Sequence, residues 1–271
     1  MKKDMLSFVL LIAAVFVTGC GQKSKVDDPK VIKFASHNLK VYEDTTKVLA
    51  KEVEKLGYKL EPVFLADNVQ LNEAVENGEY FANYHQHIPY LEEFNTANKA
   101  HLTPAFKVFV DRSGIFSKKY KSFKELPDGA TITLANDPGN NFRGLQILAD
   151  AGLLKFKEGV PPQKVSQKDI IENPKKLKFI EVDYTLLARG LDDADAGFLY
   201  ATVATEFGLD INKDALGIER PELQAPDIIA VRKENAGSEK AEILKKAYYS
   251  DAMKQALKDA FGGKEVLHPA W

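Results

Sequence analysis

Two hydrophobic periods take turns along this chain. Val31-Ile32-Lys33-Phe34-Ala35 is a short apolar run of strand type, and Ser36-His37-Asn38 interrupts it. From there Val41, Val48, Leu49, Val53 and Leu56 fall on one face of a helix that Gly57 closes. The same signals recur: a strand over 60–65, a helix over 69–76 ending at Asn77-Gly78, a strand over 80–84, a loop, and a helix opening near Pro89. Extended segments at 106–110 and 114–117 lead into a second set of the same kind. There the pattern predicts strands over 131–135, 178–182 and 196–199, and helices over 140–151, 183–191 and 201–207, with Gly152 capping the first of these helices. A buried-type strand at 228–231 follows. Two helices over 238–248 and 251–261 complete the chain, the last capped by Ser250 and stopped by Gly262-Gly263.

Short strands alternating with amphipathic helices define an α/β chain. Two such units joined by extended segments predict two lobes facing each other across a cleft. Ligands of open α/β sheets bind beyond the carboxyl ends of strands. That places the candidate loops at 36–38, 66–68, 85–90 and 136–143, together with Tyr200.

The amino terminus follows a different pattern. Lys2 and Lys3 precede an apolar stretch from Met5 to Val17, and Thr18-Gly19-Cys20 follows. Basic, apolar and small in that order is the layout of a secretory signal peptide. The stretch falls short of the roughly 20 residues that span a bilayer. Cys20 is the sole cysteine of the 271 residues, and it stands where a bacterial lipobox places the thiol that is acylated. The expectation is a signal peptide at 1–19, a lipidated Cys20, and a polar tether over 20–29. The mature chain then sits at the cell membrane, lipid-anchored on its extracytoplasmic side. A single cysteine leaves no disulfide, so packing alone must hold the fold.

Charge narrows the partners. Without residues 1–19, Lys+Arg falls from 37 to 35 and Asp+Glu from 39 to 38, leaving a net charge of −3. Neither sign dominates, which argues against nucleic acid. The chain carries no Gly-x-Ser-x-Gly elbow, no His-Glu-x-x-His pair and no Gly-rich phosphate loop, so it reads as a non-enzyme with no cofactor.

Two segments carry candidate binding chemistry. In Ala135-Asn136-Asp137-Pro138-Gly139-Asn140-Asn141-Phe142-Arg143-Gly144 a strand runs through a loop into a helix. The free N–H groups of that helix favour an anion, and Arg143 in its first turn offers a fork of donors to a carboxylate. An ordinary capped helix with a surface arginine accounts for the same residues. In Asn83-Tyr84-His85-Gln86-His87-Ile88-Pro89-Tyr90-Leu91, His85 and His87 are two apart and share a face if the segment is extended. Three readings stand there: a wall of a ligand pocket, satisfied loop histidines, or a metal site that adds His37.

Taken together, Asn83-x-x-Gln86-His87-x-Pro89-Tyr90-Leu91, the Asn136-Asp137-Pro138 to Arg143 stretch, Glu172-Asn173-Pro174-Lys175, Leu191-Asp192-Asp193-Ala194 and Trp271 resemble the NlpA family of methionine-binding lipoproteins. The likeness covers roughly residues 30–271. It implies a two-lobed, type II-like periplasmic-binding-protein fold with the ligand cleft between the lobes. One lobe would comprise 30–108 plus 229–271 and the other 109–228, with crossovers near Phe106–Ser113 and Gln224–Val231. It implies an amino-acid ligand, methionine first, delivered to an ABC permease with a cytoplasmic ATPase. Arg143 matches the family's carboxylate clamp, and His87 and Tyr90 its pocket wall. Asn140, at the opening of the same helix, and His37 join them as candidate ligand contacts. His85, Asn68 and Tyr200 stand where the family has other residues. A thioether gains up to about 1.5 kcal/mol from each aromatic contact, so this more polar wall implies weaker methionine binding, or a more polar amino acid or short peptide as ligand.

Overall fold

The structure, a computed structural model, describes residues 28–263. The leader, Cys20, most of the tether and Trp271 lie outside the described residues.

The chain begins with β1 (Val31–His37), α1 (Lys40–Lys55), β2 (Lys59–Leu65), α2 (Asn68–Glu76), β3 (Ala82–His87), α3 (Ile88–Asn98) and β4 (Leu102–Val110). The central stretch holds β5 (Ser113–Phe116), β6 (Thr131–Ala135), α4 (Pro138–Asp150), the short hairpin of β7 (Lys155–Phe156) and β8 (Ile170–Glu172), and β9 (Lys178–Val182). It continues through α5 (Leu187–Asp193), β10 (Ala196–Tyr200), α6 (Ala201–Glu206), α7 (Ile211–Asp214) and β11 (Ala215–Ile218). The chain then returns as β12 (Pro226–Arg232), α8 (Glu239–Tyr248) and α9 (Asp251–Ala260).

Two five-stranded sheets result, ordered β2-β1-β3-β12-β4 and β11-β5-β10-β6-β9. Within the first, β1 runs parallel to β2 and β3, while β12 lies antiparallel between β3 and β4. The first sheet therefore draws on both ends of the described chain and the second on its middle. The chain changes sheets at 111–112 and again at 219–225. The expected boundaries at 108/109 and 228/229 fall inside β4 and β12, because those strands pair with each other along most of their length.

Each lobe is held by the stripe its helices bury. On α1, Val41, Tyr42, Thr45, Thr46, Leu49 and Val53 recur at helical spacing and are buried, and the helix packs against α8 and α9. The core is continuous across both sheets. At its centre the rings of Tyr42, Tyr84 and Phe109 meet within 4.8–6.2 Å, and Phe109 also meets Phe261 of the carboxyl end.

Two local differences from the expected elements bear on function. β3 ends at His87 rather than residue 84, because β12 pairs with it from Asp227 opposite His87. His85 and His87 thus stand in a strand instead of a loop. The helix expected from Asp183 begins as a 3-10 turn, Tyr184–Leu186, with the Asp183 side chain accepting from the Thr185 N–H. Gly152 follows α4 in the left-handed conformation, at φ 75°, where it ends the helix as expected.

Candidate functional site

A register shift against β12, with Ile228 opposite Gln86 and Ile229 opposite Tyr84, leaves His85 as an extra residue in β3, and His85, Gln86 and His87 all reach the cleft. His87 also caps α3: its Nδ1 accepts the Tyr90 N–H at 3.2 Å, while its Nε2 donates to Asn140 Oδ1 across the cleft at 2.6 Å. Both ring nitrogens are engaged, and burial drives the imidazole pKa down to about 3, so it stays neutral. His85 is buried too, with its pKa pushed far down by the same cause. Its ring meets Tyr90 edge-on at 6.0 Å. Beneath it lies a closed amide network. Asn83 donates to Asn72 Oδ1 at 2.8 Å, Asn72 to Gln86 Oε1 at 2.9 Å, and Gln86 to Asn83 Oδ1 at 2.9 Å.

On the opposite lobe α4 starts with Pro138, and the Gly139 N–H donates to Glu93 Oε2 of the first lobe at 2.9 Å. One turn in, Arg143 is buried. Its Nε and Nη2 donate to the two oxygens of Glu219 at 2.8 and 2.6 Å, Nη2 also to the Asp111 carbonyl at 2.8 Å, and Nη1 to Asn140 Oδ1 at 3.1 Å. The Tyr200 ring centre lies 5.4 Å from its Cζ. The fork that the sequence offers to a ligand carboxylate is thus occupied by the protein's own Glu219. Asn140 relays it to the cleft: Oδ1 accepts from Arg143 and His87, and Nδ2 donates to Asp137 at 2.8 Å.

Between the lobes these groups enclose a cavity of about 30 Å³. The first lobe contributes Tyr42, Asn68, His85, Gln86, His87 and Tyr90; the second contributes Asp137, Asn140, Tyr184 and Tyr200. Asp111 and Asp227 close it from beside the two crossovers. Asp227 accepts from the Tyr42 hydroxyl at 2.8 Å, and Asp111 from the Thr202 N–H at 3.1 Å and the Thr202 hydroxyl. Burial raises the pKa of both carboxyls above the usual range; the Glu219 charge adds to it at Asp111, and the Asp111 charge adds to it at Asp227. Burial likewise lifts Asp137 to about 6. The cavity opens towards a wider hollow of about 470 Å³ that shares Asn68, Tyr90, Asp137 and Tyr184 with it. A larger hollow of about 740 Å³ lies beside Val31, Tyr58 and Arg232. It sits at the amino ends of the strands, the wrong end for a ligand of an open sheet.

Of the residues singled out in the sequence, Asn68, His85, His87, Tyr90, Asn140 and Tyr200 come together around the cavity. Arg143 stands behind it and reaches it through Asn140. His37 also stands behind the wall, its Nδ1 accepting the Leu39 N–H at 3.1 Å and its ring against Tyr184 and Tyr42. Burial lowers its pKa to about 4. Among the described residues no group of three or more His, Cys, Asp or Glu is arranged to hold a metal ion. Sequence reasoning missed Tyr42, Asp111, Tyr184 and Asp227, and gave Asp137 no role beyond its loop. Two of these carried a signal: Asp111 ends the apolar run Val108-Phe109-Val110, and Asp227 precedes Ile228-Ile229. A carboxylate abutting a buried strand needs a partner or a purpose.

The geometry has close counterparts. The description of the NlpA lipoprotein family matches residues 32–271. A probable D-methionine-binding lipoprotein MetQ of Vibrio cholerae is 35% identical over 266 residues, 97% of each chain. The methionine-binding lipoprotein MetQ of Bacillus subtilis is 33% identical over 267 residues, again 97% of each. Among solved structures, a nutrient-binding protein from Burkholderia cenocepacia bound to methionine superposes with a TM-score of 0.82 at 33% identity, covering 88% of this chain and 99% of that one. These relatives are named as binding proteins, two of them as lipoproteins. By sequence and by fold alike, this chain belongs to the NlpA lipoprotein family.

Proposed function

We propose that this chain is the solute-binding component of an ABC importer, taking an amino acid into the cleft between its lobes and delivering it to a permease driven by a cytoplasmic ATPase. Acylated Cys20 tethers it to the membrane after residues 1–19 are removed, and residues 20–29 give the body reach. The lobes are 28–110 with 226–263, and 113–218. Asn68, His85, His87, Tyr90, Asn140 and Tyr200 contact the ligand; Arg143 holds Asn140 in place. Methionine, named for several relatives, is the reference ligand.

One observation carries this reading. The cavity is walled by residues of both lobes, with Asp111 and Asp227 beside the crossovers, so what it holds depends on how the lobes sit. At about 30 Å³ it has room for a water or two. An amino acid enters only when the lobes part, and its contacts with both sides are complete only when they close again. Such a site couples binding to a change of shape that a permease can read. Calorimetric titration of the full chain in detergent should give one amino acid bound per chain. Asn140→Ala should weaken it about tenfold or more, since it removes the relay between Arg143, His87 and Asp137. Failure of every amino acid to bind would sink the reading.

The acidic lining favours a second form of the same reading, a receptor for a more polar amino acid than methionine.

A further inference from the structure

The charge around this cleft is one-sided. Asp111, Asp137 and Asp227 line the cavity, and its mouth adds Asp67, Glu93 and Asp183. The whole chain carries a net charge of only −2, so this concentration is local. Among the described residues no lysine or arginine lines either space. The guanidinium behind the wall, that of Arg143, is held by both oxygens of Glu219. His85 and His87 are neutral, and burial holds the Asp111, Asp137 and Asp227 carboxyls towards their protonated forms while the cleft is empty, so a cation seated among them would favour their charged forms.

A second observation is independent of charge. The buried atoms of the cavity wall that lack a hydrogen-bond partner are His85 Nδ1 and Asn68 Oδ1. Both are acceptors. His85 is 9% exposed, and its Nε2 faces Asn72 Oδ1, which already accepts N–H groups from Asn83 and Gln86. Nε2 therefore carries the hydrogen, and Nδ1 presents its lone pair. An orphaned acceptor at this depth calls for a donor from a ligand.

A zwitterion with an apolar side chain suits this wall poorly. Its side chain leaves the extra acceptors unmet, and its one ammonium leaves most of the surrounding carboxyls without a counter-charge. A ligand with one more cationic group supplies both a donor and a further counter-charge. We propose that the cleft selects an amino acid of net positive charge, with an ammonium or guanidinium group seated between Asp111 and Asp227 and donating further to His85 Nδ1. This rests on the amino-acid-receptor reading above. The acidic mouth draws such a ligand inward and turns away anionic ones.

Titration of the full chain in detergent with L-lysine, L-arginine and L-methionine at pH 7.5, in low and high salt, tests the selection. The expected result is a cationic amino acid bound at least tenfold more tightly than methionine, with the advantage shrinking in salt. Asp227→Asn should cut that advantage at least tenfold. The wild-type ranking decides the matter even if the variant fails to fold. A neutral amino acid binding tightest, or a ranking that a folded Asp227→Asn leaves unchanged, overturns the inference while the receptor reading stands. No binding by these three or by any other amino acid overturns both.

Discussion

Arg143 and Glu219 are fully buried and joined by two hydrogen bonds, so neither can be altered alone without leaving a bare charge inside the protein. Removing one partner of such a pair costs about 3–5 kcal/mol, whereas replacing both with apolar residues of similar volume is often nearly neutral. Arg143→Met should therefore lower stability in urea by about that amount, and adding Glu219→Leu should restore most of it. A single variant as stable as wild type would contradict the arrangement. His87 sets a pH response. Its ordinary pKa of 6.5 falls to about 3 in the folded protein, so the unfolded chain takes up a proton there first. Its contribution to stability is intact above about pH 6.5 and is lost as pH falls towards 3. His87→Gln should flatten that part of the stability curve, and an unchanged acid limb would exclude the assignment. The sequence disclosed the residues in the first turns of helices that follow strands, such as Asn68, Tyr90 and Asn140. It hid the role of Glu219, which is 76 residues from Arg143, because no local pattern records which carboxylate a guanidinium will meet.

The elements that carry the site are placed by close packing. Gly144 follows Arg143 on α4, and a Cβ there would come within 2.5 Å of a Leu134 methyl and 3.3 Å of the Phe198 ring. Alanine would gain about 0.5–1 kcal/mol of helix propensity, but overpacking a core costs about 1–3 kcal/mol. Packing should win, with Gly144→Ala losing about 1–2 kcal/mol in thermal or urea unfolding; an unaffected melt would show that α4 has slack. Most elements were legible because each buries one stripe, as α1 does through Val41, Leu49 and Val53. The end of β3 was not. It is set by β12, some 140 residues later in the chain, and period-two alternation over so few residues does not tell a strand from a loop. The same strand brings Asp227 opposite His87, so the missed register and the missed carboxylate have one cause.

On the reading proposed above, the anchor and the binding body of the molecule are separate devices. The described chain enters the body at the start of the first sheet, while the cavity lies at the carboxyl ends of the strands. Cys20→Ser should release the protein from membranes on fractionation while its ligand affinity stays within about twofold of wild type; a large change in affinity would tie the two together. In the proposed function, both lobes grip one amino acid between them. Mass spectrometry of the intact chain, after incubation with an equimolar mixture of the twenty amino acids, tests it most directly. The expected outcome is a single added mass, that of one amino acid at one copy per chain, and its loss in Asn140→Ala. No added mass, or the same mass retained at full occupancy by that variant, would contradict it.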